Sequence, residues 1–312
     1  MLDAFLISGL FGVVIVIGLA LLLHLQLGLG RIANFGVVGF FGIGMYVFGV
    51  LYVKVDWPFG EPWQFLVCAA VATGVAGLSG LLVGWLIADL DTDGVLVGTL
   101  GFATAVAILA TTEAEFTGGA EGMGGLGFPF DIGAVKDNEF LWLAITTVVV
   151  AVILAFVWQV HRSPYGRLLI AVGGNEPLAR SLGKPAFRTK LWLFAITSAV
   201  MGLLGAMDAV MLRFLDPAHI GIDVTLAAMV GLVLGGSARA WGAVAGVILA
   251  IGFFDIVIQF YLPLPKDWYN QAIPVLREVM FGLTLIVVLL FRPLGLLGDM
   301  RRDKLMRRLH GR

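Results

Sequence analysis

Long apolar runs separated by short polar intervals make up nearly the whole chain. A helix crossing a hydrocarbon core about 30 Å thick needs about 20 apolar residues. Nine stretches reach or approach that length: 4–27, 32–53, 64–89, 94–113, 140–160, 190–212, 222–236, 241–261 and 273–291. The pattern predicts an all-α polytopic membrane protein, with a single membrane domain over residues 1–312. Two of the nine depart from a plain span. The second, GLGRIANFGVVGFFGIGMYVFGV, is dense in glycine and carries Arg31 and Asn34. The seventh is short and runs into GLVLGGSARAWGAVAG. Interruptions of this kind predict broken or re-entrant helices, whose freed backbone must be covered by protein or face a wet cavity. The N-terminal run has no basic leader, carries Asp3 and stays apolar too long for a cleaved signal, so it reads as a retained first span.

Composition agrees with the pattern. Sixty per cent of the residues are hydrophobic and 13% charged, against about 45–50% and about 25% in a soluble domain. Net charge is −1, so only the distribution of charge is informative. Of 20 lysines and arginines, six lie in 162–190 and seven in 292–312. The positive-inside rule makes both segments cytoplasmic. Four predicted spans separate them, which returns the chain to the same side. The loop around 111–139 then lies outside, with six acids against Lys136. Nine spans give an outside N-terminus and an inside C-terminus. The single Cys68 sits in an apolar run and reads as a small core residue.

Glycines recur at small-xxx-small spacing: Gly80 and Gly84, Gly94 and Gly98, Gly231 and Gly235, Gly242 and Gly246. In lipid such faces let helices approach closely, where packing replaces the hydrophobic effect.

Several chemistries are absent. No G-x-x-x-x-G-K-[ST] occurs, so the chain holds no P-loop for ATP. Four dispersed histidines and one cysteine offer no metal constellation. The run GMGGLG at 122–127 matches G-x-G-x-x-G only formally, because no strand–turn–helix setting surrounds it. It reads as a glycine-rich turn. No basic groove or nucleic-acid motif is present, so no nucleic acid is expected as a partner; membrane lipid is.

Polar groups inside the spans are few. Asp208 and Asp255 are carboxylates in predicted helices, and such groups face a bundle interior, water or the nearer interface. Asn34 lies in the interrupted second segment, where its amide suits a broken-helix site or a local turn bond. Together with Gly42 and Gly44, these residues form the candidate substrate pathway. His24, near the inner end of the first span, reads as an interfacial histidine.

The basic stretch SPYGRLLIAVGGNEPLARSLGKPAFRTK, from Ser163 to Lys190, carries its own folding signals. Pro164 suits a turn or a first helical position. Asn175 reads as an N-cap, Glu176 and Pro177 as a first turn, Gly183 as a helix stop and Pro185 as the residue beyond it. A short capped helix on the cytoplasmic face makes a lever on which another protein can push. A loop that only touched anionic headgroups would need neither the capping nor Glu176.

The pattern of Gly166, Arg167, Asn175, Glu176, Ala179 and Gly183 resembles the cytoplasmic coupling loop of permeases from the branched-chain amino acid family of ABC importers. The similarity runs on through KLWLFAITSAVMGLLGAMDA, IGIDVTLAAMVGLVLGGSARAWGAVAGVILA and the closing FRPLGLLG, and back through GLGRIANFGVVGFFGIGMY and TLGFATAVAILATTEAEFTGGAEGMGGLG. It implies an inner-membrane subunit with two cytoplasmic ATPases, a second related permease or second copy, and a periplasmic solute-binding protein. No cofactor is implied in this chain, ATP and magnesium belonging to the ATPases. Gly235, Gly236, Ala238, Arg239, Gly242 and Ala243 depart from the family's usual G-G-x-G-T-x-x-G-P, and Asp208 replaces an uncharged residue. Branched-chain amino acids, urea, short amides and aromatic acids all remain possible cargo. The rival class is an ion-coupled secondary transporter, which would use Asp208 and Asp255 near the midplane.

Overall fold

The computed structural model describes residues 2–87, 89–130, 133–253 and a few positions between Val279 and Leu296. Its first helix, α1 (Leu2–Leu23), continues as a π-helical turn, His24–Leu29. It is followed by α2 (Val37–Lys54), α3 (Trp63–Ile87), α4 (Thr92–Thr112), a one-turn α5 (Ala114–Thr117) and α6 (Val135–Arg162). Two short helices, α7 (Pro164–Gly174) and α8 (Glu176–Ser181), lead into α9 (Ala186–Leu212). The helices α10 (Ile222–Gly235) and α11 (Ala240–Val247) come last, α11 running on as a π-helical Ile248–Phe253. Six helices are long and apolar enough to cross a membrane, beginning at Leu6, Val37, Trp63, Thr92, Val135 and Ala186.

The expected spans 222–236 and 241–261 differ from the pattern. α10 has 14 residues and its partner ends by Gly252 in the apolar window, so each is short for a crossing; the pair is bent by 116°. The bend falls at Gly236, whose φ of 102° is open to glycine and strained for other residues. The pair is a broken span or a re-entrant excursion, giving at most seven crossings where the apolar runs gave eight up to that point. With 273–291 as a crossing, the re-entrant form is the one that keeps 162–190 and 292–312 on the same side. The expected span 273–291 lies largely outside the described residues; Val279, Leu283, Ile286 and Leu290 there are helical and exposed. The expected tail 292–312 lies almost wholly outside them.

α9 is the axis of the bundle. Of its apolar window 72% is buried, against 22% for α4 at the edge. Small residues allow this. A Cβ added to Gly80 would lie 2.5 Å from Ser198 Cβ, and one on Gly202 2.3 Å from Ala76 Cβ, so α3 and α9 run in direct contact. Against α2, a Cβ on Gly44 would meet the carbonyl oxygen of the same Gly202 at 2.0 Å, and one on Gly205 the Phe41 oxygen at 2.0 Å. Gly231 and Gly235 make the same contact with Gly246 and Gly242 between α10 and α11. The spaced pairs are thus packing faces, with one exception: Gly94 and Gly98 meet only residues 87–91 nearby. Outward, α3 shows Trp63, Leu78, Leu82 and Trp85, as a lipid-facing helix should. Cys68 is fully buried.

The end of the bundle away from the 162–190 loop is pinned. Strand β1 (Met123–Gly124), inside the glycine-rich GMGGLG turn, pairs antiparallel with β2 (Phe214–Leu215) just after α9. Arg213 Nη2 bonds Glu139 Oε1 at 2.8 Å, and the Trp142 indole donates to the Met207 carbonyl at 2.9 Å.

Gly44→Ala should be severe, because its Cβ meets backbone and no side chain can step aside. Overpacking costs about 1–3 kcal/mol or more, so the detergent-solubilised variant should melt well below wild type. Gly9→Ala, where nothing lies within 4 Å, should melt with wild type in the same thermal shift measurement.

Candidate functional site

Between the π turn and α2 the chain is unwound over residues 30–36. Its backbone groups have lost their helical partners, and inside a membrane each needs a replacement. Five fully buried polar side chains supply them: Gln26, Asn34, Thr99, Thr197 and Thr225. Gln26 Nε2 donates to Thr197 Oγ1 at 2.6 Å and its Oε1 accepts from Asn34 Nδ2 at 2.9 Å. Asn34 Oδ1 in turn accepts from Gly36 N at 2.7 Å. Thr99 Oγ1 takes the Phe35 N–H at 3.0 Å, and Thr225 Oγ1 takes the Val38 N–H at 3.1 Å. The break is therefore tied to α1, α4, α9 and α10 together. Of these five, only Asn34 stood out in the sequence. Of the other four, Thr99 is a lone polar residue in an apolar run, while Gln26, Thr197 and Thr225 sit within two residues of His24, Ser198 and Asp223 and carry no distinct signal.

A second brace joins the two irregular regions. His24, expected at an interface, is fully buried; its Nδ1 lies 2.9 Å from the Ser237 carbonyl oxygen in the α10–α11 bend. Its ring stacks on His161 at 6.5 Å. From the other side, Leu296 N donates to Leu234 O at 2.9 Å. The α10–α11 bend is thus held from two directions.

The candidate pathway residues do not converge. Asn34 is enclosed in the network above, Gly42 abuts Ile220 and Gly44 abuts Gly202. Asp208 lies four residues before the end of α9, half-buried, with no hydrogen-bond partner among the described residues. Asp255 lies outside the described residues.

The 162–190 loop is more structured than a single lever. Ser163 caps α7 by accepting from Gly166 N at 3.1 Å, with Pro164 in the first turn. A Cβ on Gly166 would sit 2.1 Å from the Val160 oxygen, so glycine is required where the chain doubles back. Tyr165 ties α7 to α9 through a 2.9 Å bond to the Thr189 oxygen. Asn175 caps α8 by accepting from Leu178 N at 3.0 Å, and Gly183 ends it with φ 74°. Ala179 is buried with Val172 and Ala186 in a small separate core.

Glu176 faces its own protein. One carboxylate oxygen accepts from Arg180 Nε and Nη2 at 3.1 and 2.8 Å, and the other bonds the Lys190 ammonium of α9. Arg180 reaches on to Asp89 Oδ1 at 2.7 Å, in the turn between α3 and α4. The result is a chain of four charges, Lys190–Glu176–Arg180–Asp89, bracing α8 between α9 and that turn. Partial burial raises the tendency of Glu176 to hold a proton, but the Lys190 and Arg180 bonds outweigh it and hold its pKa below the usual glutamate value. A depressed carboxyl pKa stabilises above the unfolded value and is lost as pH falls through the folded one. The brace thus holds at neutral pH and opens in acid. Arg167 is exposed, its one side-chain bond among the described residues a 3.5 Å contact to the Arg162 oxygen. The outward side of α8 instead carries Leu178 and, at the residue that ends the helix, Leu182, 56% and 69% exposed. Their i, i+4 spacing on a short polar helix is the signal that was readable and went unread.

Over residues 5–289 the chain matches the family described as the permease component of the branched-chain amino acid transport system. The chain belongs to that family. Among its relatives, the high-affinity branched-chain amino acid transport system permease protein LivM of Escherichia coli is 26% identical, over 93% of this chain and 69% of that protein. The probable LivM of Methanocaldococcus jannaschii is 22% identical over 93% of this chain and 91% of its own length. The autoinducer 2 import system permease protein LsrC of Klebsiella pneumoniae is 28% identical over 64% of this chain and 57% of its own. No solved structure matches. With six apolar helices of spanning length, this is a multi-pass membrane permease of an ABC transport family, and its relatives are transport subunits rather than enzymes.

Glu176→Gln should free α8 without unfolding the bundle, because the brace lies at the surface. Hydrogen exchange of the 176–183 amides should rise several-fold, with exchange in α9 beyond Leu193 unchanged. Wild type taken well below the ordinary glutamate range should show the same local opening.

Proposed function

We propose that the protein is the membrane-spanning subunit of an ATP-driven importer in a bacterial inner membrane, with the 162–190 loop and 292–312 tail in the cytoplasm. Family membership joined to α8, a capped helix showing two leucines outward, carries the reading. A chain without a P-loop needs its energy from elsewhere, and α8 is shaped to receive a push. Leu178 and Leu182 enter a groove of a cytoplasmic ATPase, which holds ATP and magnesium; the charge brace passes the movement to α9 and to the α3–α4 turn. Arg167, Asn175 and Gly183 shape or border that contact. Two such ATPases, a second permease of this kind and an external solute-binding protein complete the assembly.

Branched-chain amino acids are the favoured cargo, on the names of the LivM relatives; the LsrC relative makes autoinducer 2 the competing one. Asn34, Gly42, Gly44 and Asp208 border or support the route. The secondary-transporter reading has less behind it: Asp208 sits near a helix end and gains no facing partner among the described residues.

Leu178→Asp with Leu182→Asp should leave insertion intact, since both side chains point outward, while ATPase no longer co-purifies and solute-stimulated hydrolysis falls to background. Uptake that persists in this double variant would refute ATP coupling through α8. Sidedness has its own check in a Cys68→Ala background. A membrane-impermeant thiol reagent applied outside should label Ala120→Cys and spare Ser181→Cys.

A further inference from the structure

A cavity of about 370 Å³ opens between the unwound segment and the loop. Four charged residues line it, Arg31, Asp91, Glu176 and Lys190, against an apolar side that includes Val95 and Phe194. The volume falls in the range of small-molecule sites, about 300–1,000 Å³. Glu176 and Lys190 are already committed to each other. Asp91 caps α4 with Oδ1, accepting from Gly94 N at 3.0 Å, which leaves its second oxygen free for a ligand.

Arg31 is the unexplained member. It is exposed, makes no hydrogen bond or ion pair among the described residues, and has φ 51°. Left-handed backbone is costly for a residue with a Cβ, and such strain gathers at ligand sites. A packing role does not account for it, since glycine would take this conformation freely. Arg31 lines the cavity with an uncommitted guanidinium, a planar fork suited to a carboxylate.

We propose that this cavity binds a small α-amino acid zwitterion from the cytoplasm and that its occupancy slows import. The carboxylate pairs with Arg31, the ammonium with Asp91, and an aliphatic side chain lies against Val95 and Phe194. The inference rests on the importer reading above for the solute class and for the side on which the loop lies. Arg31, Asp91, Val95 and Phe194 belong to the bundle, while Val172 and Gly173 of α7 and Glu176 at the start of α8 form the facing wall, so a bound solute is enclosed between the body of the permease and its lever. A ligand shifts an equilibrium by its differential affinity for the two states. One seated here favours the arrangement in which α8 lies against the bundle and resists the stroke. Imported solute would thereby restrain its own entry.

The test uses the purified permease–ATPase complex without its solute-binding protein, and tritiated leucine as probe. Wild type should bind leucine, and leucinamide, which lacks the carboxylate, should not displace it. Arg31→Gly keeps the backbone conformation and removes the charge; Asp91→Asn keeps the helix cap and removes the charge. Each should weaken binding at least about tenfold, the loss of one charge-assisted contact. In proteoliposomes of the whole transporter, leucine trapped on the ATPase side should slow initial uptake by about fivefold, within the usual span of coupling between sites. Both variants should relieve that inhibition and match wild type in empty vesicles. Absence of leucine binding by wild type, or equal binding by the variants, overturns the proposal. So does loss of the ATPase from either variant, which would make the cavity a seat for that subunit. Leucine uptake that ignores Arg31 sinks the cavity and leaves the importer standing. Leucine bound through Arg31 but never transported sinks the cargo assignment and leaves the cavity.

Discussion

A membrane interior gives a broken helix nothing to bond to, and the architecture follows from how this chain meets that demand. Seven residues between α1 and α2 leave the helical ladder. Gln26, Asn34, Thr99, Thr197 and Thr225 take up the freed groups from four directions. Because each of those side chains is fully buried, losing one leaves its partner unsatisfied in a medium where water does not replace it. The break thus fixes where α4, α9 and α10 stand, and it sets Arg31 at the mouth beside the loop.

The second constraint is close approach. α9 touches α2 and α3 through glycine and alanine, with backbone against backbone. Dispersion between atoms at such distances is individually small and collectively large, and in lipid it stands in for hydrophobic burial. A helix so enclosed moves as a rigid piece. That stiffness suits a part asked to carry displacement from a loop at one end to structure at the other.

Much of this was legible in the sequence. The loop could be read because its signals are local: Asn175 caps, Gly183 stops, and neither depends on distant residues. The interruptions near Arg31 and Gly236 showed themselves through glycine density. What escaped was long-range. Nothing local shows that Glu176 joins an internal brace, whose other members Lys190 and Asp89 lie 14 residues ahead and 87 residues back. Gln26 pairs with Thr197 across 171 positions, and no periodicity records such a meeting. At Gly236 the break itself was visible and only the turning back was not, because both halves are apolar enough to pass as spans and apolarity does not encode direction.

The two ends of α9 are fastened by different means. At the far end Arg213 lies over the Phe128 ring and against Glu139, beside a strand pair and the buried Trp142 indole. At the near end the brace runs through Arg180 and Asp89, whose side chains are 48% and 69% exposed. Dissolved ions screen exposed charges over about 8 Å at physiological strength and hardly reach buried contacts. The medium therefore acts on α8 as on a plucked string with one fixed peg and one tuning peg: salt slackens the link to Asp89, while Glu176 and Lys190, 24% and 17% exposed, keep the α9 end in tune.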